Sequence, residues 1–213
     1  MTFARAESRT IGGFGRTDRF AYEQRFRAPG EVVGRVLLES GTASGREPTS
    51  DLQLCSHLAQ FLQETGNTLG AEDEQPFTMR LLHFRRRFVE KMFAIHAKVE
   101  LFKRHGRPIG TYAQHYYDQY QLAARPEVRA MLASPEYVAI KEDYDRISRT
   151  HFERDYFSPE GMSFARSDAL FPAAAIAEAL ARDYDEQCRM LCYGSVPAWS
   201  DVRDRFDELR PNL

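Results

Sequence analysis

The sequence is poor in cysteine, and the scarcity excludes two kinds of scaffold. Cys55, Cys188 and Cys192 form no CxxC pair, which argues against a disulfide framework and a thiolate zinc site and points to a reducing compartment. Cys188 and Cys192, four apart in an expected helix, read as small packing residues. No apolar run approaches the roughly 18 residues that a membrane-spanning helix needs, so no membrane contact is expected. The arginine-bearing N-terminus lacks the apolar centre of a secretory signal, so a cytoplasmic location is expected. An excess of one charge is missing too. The net charge is −2 over 213 residues, so no global field draws nucleic acid or an anionic membrane, and any phosphate-binding patch has to be local. There is no internal repeat and no low-complexity tract.

What remains is an ordinary globular composition, 43% hydrophobic and 28% charged, long enough for one large domain or two small ones. The alternation from Phe20 to Phe26 predicts a short strand, and the apolar, β-branched run from Val32 to Glu39 predicts a buried one. Residues 40–50, with Gly41, Gly45 and Pro48, form a loop. Residues 51–65 are expected to be helical, with Leu54, Leu58, Phe61 and Leu62 on one face. Residues 77–82 make a third expected strand.

From there the periodicity changes. A helix is predicted over 85–103, where Phe88, Met92, Ile95, Val99 and Phe102 fall on one stripe. Others are predicted over 111–124, 135–151, 172–193 and 199–209. The expected layout is therefore α+β and mostly helical: a partial α/β segment, residues 1–83, then a C-terminal helical domain, residues 84–213. Three strands make an incomplete sheet by themselves.

Two segments carry candidate chemistry. Arg87, Lys91 and Lys98 share one side of the 85–103 helix, away from the apolar stripe. Such a row can grip a phosphate, arginine as a fork and lysine as a point charge; it can equally be a solvated face. In the next helix, within Gln114-His115-Tyr116-Tyr117-Asp118, the Asp118 carboxylate can orient a lysine, share a metal, or merely cap an aromatic contact. His115 reads most simply as a packed histidine.

The run from Arg87 through Glu90-Lys91 to His96-Ala97 resembles the R-T-F-W-E-K-x-x-x-L-H-A helix of AbiEii/AbiGii-type nucleotidyltransferases, and His115-Tyr116-Tyr117-Asp118 resembles that family's R-H-Y-Y-D-L motif. Val36 to Gly41 with Gly45 to Thr49 is similar to its first strand and loop, and Leu170 onward to its closing helices. The resemblance covers the C-terminal two-thirds of the family's pattern, residues 20–213. It implies a partial polymerase-β-like nucleotidyltransferase sheet followed by a helical bundle. Lys91 and Asp118 would be catalytic, Lys91 holding nucleotide phosphates. Arg87, Lys98, Glu90, His96 and Tyr117 would lie around the nucleotide, and Glu39 would be a metal-proximal carboxylate. The implied partners are an NTP, an RNA (tRNA) or protein acceptor and a cognate antitoxin, with Mg²⁺ as cofactor.

Two departures stand out. Gln114 occupies the place of the family's arginine. The family's Gly-Ser turn followed by Asp-x-Asp is absent upstream of Glu39: Gly12-Gly13 is followed by no such pair and suits a hairpin turn, and Asp183-Tyr184-Asp185 falls in a late helix. The expectation is hence a nucleotidyltransferase that is truncated and weak or inactive. The alternatives are a non-catalytic binding or regulatory module of the same fold, and an unrelated helical interaction protein. The last requires that Lys91 and Asp118 do not meet.

Overall fold

The computed structural model describes residues 4–11, 14–25, 34–192 and 194–213. The fold is α+β and mostly helical, as expected. Strands β1 (Ala4–Ile11), β2 (Gly15–Ala21) and β3 (Arg35–Gly41) form an antiparallel sheet in that order. A second antiparallel pair joins β4 (Thr49–Leu54) to β5 (Phe77–Leu82), and helix α1 (His57–Glu64) lies between them in sequence. Gly12-Gly13, the expected hairpin turn, lies outside the described residues, as do Phe26, Val32, Val33 and Tyr193.

The structure corrects four expectations. Residues 51–65 are not one helix. Thr49–Leu54 pairs with β5, where Asp51 faces Arg80 at 3.3 Å and Gln53 donates to Thr78 at 2.7 Å. Helix α1 starts only after Ser56, whose Oγ accepts the Ala59 N–H at 3.0 Å, an N-cap. Its buried residues are Ala59 and Leu62, while Leu58 and Phe61 face outward. The early strands also differ: β2 ends at Ala21, ahead of most of the expected segment. Strand β3 is an exposed edge and not a buried strand, all seven of its residues being exposed. Finally, a helix absent from the expected layout, α4 (Pro126–Leu132), follows the 111–124 segment, and Pro126 sits in its first turn, where its missing N–H has no helical partner to lose.

The organising element is α2 (Phe84–His105). His83 caps its start, Nδ1 accepting the Arg85 N–H at 3.2 Å. Gly106, at φ 64°, ends it in the left-handed conformation that costs glycine little. Lys103, Arg104 and His105 sit at the negative end of the helix dipole. Of its predicted stripe, Phe88, Met92, Ile95 and Val99 are buried and Phe102 is half-buried against them. At about 1.5–3 kcal/mol for each fully buried side chain, this stripe is a leading source of stability.

Against α2 pack α3 (Gln114–Ala123), α4 and α5 (Pro135–His151), and α6 (Ala174–Leu191) and α7 (Trp199–Leu209) pack in turn on α3. Tyr116 of α3 meets Trp199 and Phe206 of α7 edge-on, and its hydroxyl donates to the Ala169 carbonyl at 2.7 Å. One buried cation ties the strands to the helices. Arg86 of α2 donates to the Glu47 carbonyl (2.9 Å), Glu90 (2.9 Å) and Asp143 of α5 (2.7 Å). A Cβ on Gly45 would overlap this guanidinium, so glycine at 45 lets the loop after β3 lie on α2 without displacing Arg86.

Candidate functional site

Arg87 and Lys91 are one turn apart on α2, just off the buried stripe, and their heads rise beside the loop held by Arg86. Across from them, α3 is fixed by the inward Tyr116, which turns His115 and Asp118 toward α2. The Lys91 ammonium reaches Asp118 Oδ2 at 2.6 Å and His115 Nδ1 at 3.1 Å. Nδ1 and Asp118 Oδ2 stand 3.4 Å apart. Partial burial acts to raise the Asp118 carboxyl, but the contacts with His115 and Lys91 outweigh it and hold Asp118 below the usual carboxylate range. Asp118 is thus an ionised acceptor that fixes the direction of the Lys91 ammonium.

Lys91, Arg87, Glu90 and His115 line one wall of a cleft of about 260 Å³. Ala43 and Ser44 of the β3–β4 loop form another wall, with Tyr144, Ile147 and Phe152 as an apolar floor. The Arg87 side chain is half-exposed, and its partner Glu90 lies at a long 3.4 Å. Farther along α2, Lys98 stands 4.3 Å above the Tyr112 ring in a hollow of about 300 Å³. That hollow shares Ala94, Tyr144 and Phe152 with the cleft, so the three cations named from the sequence border adjoining space.

The other named residues are placed differently. Glu90 is nearly buried and engaged by Arg86 and Arg87. Tyr117 borders a separate hollow with Gln114, Asp118, Leu191 and Cys192. Glu39 is exposed on β3 and lines no part of the cleft. His96 is buried elsewhere, its Nδ1 2.7 Å from Ser167 Oγ, in the wall of a larger cleft of about 510 Å³ with Glu100, Lys103 and Arg166. There it helps to tie the segment before α6 to α2. Burial favours neutral His96 and holds its pKa below the ordinary 6.5.

His96 therefore contributes stability fully above about pH 6.5 and loses it as the pH falls toward its folded value. His83 is shifted in the same direction by burial and by Arg85. The urea midpoint is expected to be lower at about pH 5.5 than at about pH 7.5. The difference should shrink in His96→Gln, and an unchanged difference would contradict this role.

Sequence reasoning gave little weight to His115 and overlooked Arg86, which is the middle of three consecutive arginines. It also passed over a second Asp-x-Asp, Asp143-Tyr144-Asp145. On a helix, residues two apart point to nearly opposite sides. Accordingly Asp143 pairs with Arg86, and Asp145 with Arg149 and the Tyr156 hydroxyl. Asp183 and Asp185 likewise lie on α6, where Asp183 accepts the Gly110 N–H at 3.4 Å.

These carboxylates do not fit a Mg²⁺ site. Among the described residues no three His, Cys, Asp or Glu side chains converge as metal ligands. Asp118 and Glu90, the acids nearest Lys91, are each engaged by cations. What the site offers chemically is a fixed ammonium, a guanidinium and an imidazole N–H beside an apolar floor, a set suited to an anion such as phosphate.

Among the described residues no helix is long and apolar enough to cross a membrane. No curated protein and no solved structure matches this chain. A family model does match, "Nucleotidyl transferase AbiEii toxin, Type IV TA system", over residues 2–209. The match takes in nearly the whole chain. With Lys91 and Asp118 in contact and the match running almost from end to end, the chain belongs to the AbiEii nucleotidyl transferase toxin family of type IV toxin–antitoxin systems.

Proposed function

We propose that the cleft beside α2 receives the phosphates of a nucleoside triphosphate, and that the protein acts in transfer of the nucleotide to an RNA or protein acceptor. One observation carries the reading. Lys91 meets His115 and Asp118, which are 24 and 27 residues away in sequence, at the edge of a cleft. In such a transfer the acceptor attacks the α-phosphorus and pyrophosphate leaves, so the demand on the protein is for positioning and charge neutralisation. Lys91 donates to the β- and γ-phosphates, and Asp118 and His115 hold it in place so that little side-chain freedom is lost on binding. Arg87 supplies a two-pronged donor to the same phosphates.

No step is assigned to Mg²⁺, because among the described residues the carboxylates do not fit it. On this reading the chain binds nucleotide but transfers it weakly. A second reading, a binding or regulatory module of the same fold, is favoured by the engagement of Glu90 and Asp118 by cations. The family implies a cognate antitoxin; the identity of the acceptor belongs to the proposal.

The test is calorimetry with each of the four NTPs, with and without Mg²⁺, on the protein and on Lys91→Ala. The variant is expected to bind roughly 10- to 100-fold more weakly, having lost a charge-assisted contact and left the Asp118 carboxylate facing the phosphates. Unchanged affinity in a folded Lys91→Ala would overturn the proposal. Radiolabel transfer to RNA or protein separates the two readings: measurable transfer supports the first, and binding without it the second.

A further inference from the structure

Strand β3 is an unusual edge. Among the described residues it is hydrogen-bonded only to β2, which leaves its outer N–H and C=O groups facing outward. Three consecutive apolar residues, Val36, Leu37 and Leu38, are 48%, 52% and 52% exposed. Consecutive strand residues point to opposite faces, so the edge is bare on both. Long, flat, apolar edges template pairing with another chain, and proteins ordinarily blunt them with proline, lysine or a bulge. This one has none of these in its seven residues, Arg35-Val36-Leu37-Leu38-Glu39-Ser40-Gly41.

The order of those residues selects an occupant. Arg35 and Glu39 flank the apolar run symmetrically about Leu37. They share a face, but at about 3.3 Å per residue they lie roughly 13 Å apart along the strand, too far to pair with each other. Their neighbours on β2 are Ala21 and Thr17, neither of them charged. A second β3 laid antiparallel, with Leu37 opposite Leu37, places each Arg35 across from a Glu39 and each Val36 across from a Leu38. Every cross-strand pair is then oppositely charged or apolar. Parallel in-register pairing would set Arg35 on Arg35 and Glu39 on Glu39, which like-charge repulsion disfavours.

We propose that two copies of this protein associate through β3, paired antiparallel about a two-fold axis at Leu37, so that the two three-stranded sheets become one six-stranded sheet. A self-complementary patch on both partners is what a two-fold dimer requires. The proposal gives Glu39 the task of fixing strand register and is independent of the nucleotide reading.

The test is sedimentation equilibrium of the protein beside three variants: Glu39→Arg, Arg35→Glu and the double exchange. A dimer is expected for the parent. Each single reversal turns two attractive pairs into two repulsive ones and should raise the dimer dissociation constant roughly tenfold or more. The double exchange restores opposite charges across the axis and should restore the dimer. Circular dichroism checks that each variant is folded, and amide exchange should be slowed across residues 36–40 as the parent protein is concentrated. A parent that stays monomeric at high micromolar concentration would overturn the proposal. So would single reversals that leave the dimer intact, or a folded double exchange that fails to restore it.

Discussion

Arg86→Met is expected to lower the free energy of unfolding by about 3 kcal/mol, the low end of the range for breaking a buried ion pair. The Arg86 side chain is 2% exposed and spends its guanidinium on Glu90, Asp143 and the Glu47 carbonyl. Methionine fills much of the same space and satisfies none of these acceptors. The cost stays at the low end because the acids keep other partners, Arg87 for Glu90 and Arg146 for Asp143, and because Asp143 is part-exposed and screened by water. Urea unfolding measures the change. The functional consequence follows from the Glu47 contact: Ala43 and Ser44 wall the cleft, and the loop they belong to is pinned by Arg86. Amide exchange in residues 43–47 should therefore quicken in Arg86→Met, and NTP affinity should fall although Arg86 does not line the cleft. Gly45→Ala attacks the same joint from the other side. Its cost and that of Arg86→Met should add to less than their sum, as expected for residues sharing one interaction. Full additivity would mean that the loop is held by something else.

Tyr116→Ala is expected to cost about 3–5 kcal/mol, the usual range for truncating a buried aromatic. Tyr116 is fully buried, T-stacked on Trp199 with ring centroids 4.9 Å apart. Tyr116→Phe keeps the ring and removes only the hydroxyl, leaving the buried Ala169 carbonyl without its donor at about 1–3 kcal/mol. The pair separates stability from site geometry. Tyr116 faces α7 while His115 and Asp118, its neighbours on α3, face Lys91, so the aromatic contact sets the rotation of α3 and hence the direction of Asp118. Phenylalanine should preserve that rotation, and with it most of the NTP affinity. Alanine, even below its melting temperature, should bind less well. Equal affinity in both variants would mean that α3 is oriented independently of α7.

Much of the helical part was legible in the sequence. Helix α2 has a clean apolar stripe and a glycine stop. The helices α3, α5 and α7 fall close to their predicted spans because their periodicity is local. Strand β4 was not legible, since nothing within residues 49–54 announces that they pair with a strand more than twenty residues later, and their leucines fit a helical face as well. The site divides in the same way. Lys91 and Asp118 were named as candidates from their own segments, helical spacing placed Lys91 beside Arg87, and the family resemblance supplied the catalytic roles. Neither source gave the part played by Arg86.

Arg85-Arg86-Arg87 makes the limit concrete. Three identical side chains follow one another at 100° intervals around a helix, and the sequence treats them alike. In the fold, the Arg86 side chain is 2% exposed at a three-way junction, Arg85 is 29% exposed beside Glu136, and Arg87 is 53% exposed at the cleft. By itself the sequence determined what depends on near neighbours: the apolar stripe of α2, the spans of most helices and the placing of Arg87 and Lys91 on one side. Only the tertiary structure decided the contacts that join distant segments, Lys91 with Asp118, Arg86 with Asp143 and Asp51 with Arg80. Periodicity states which way a side chain points from its own helix or strand. What it meets there is set by the path of the chain through the turns between.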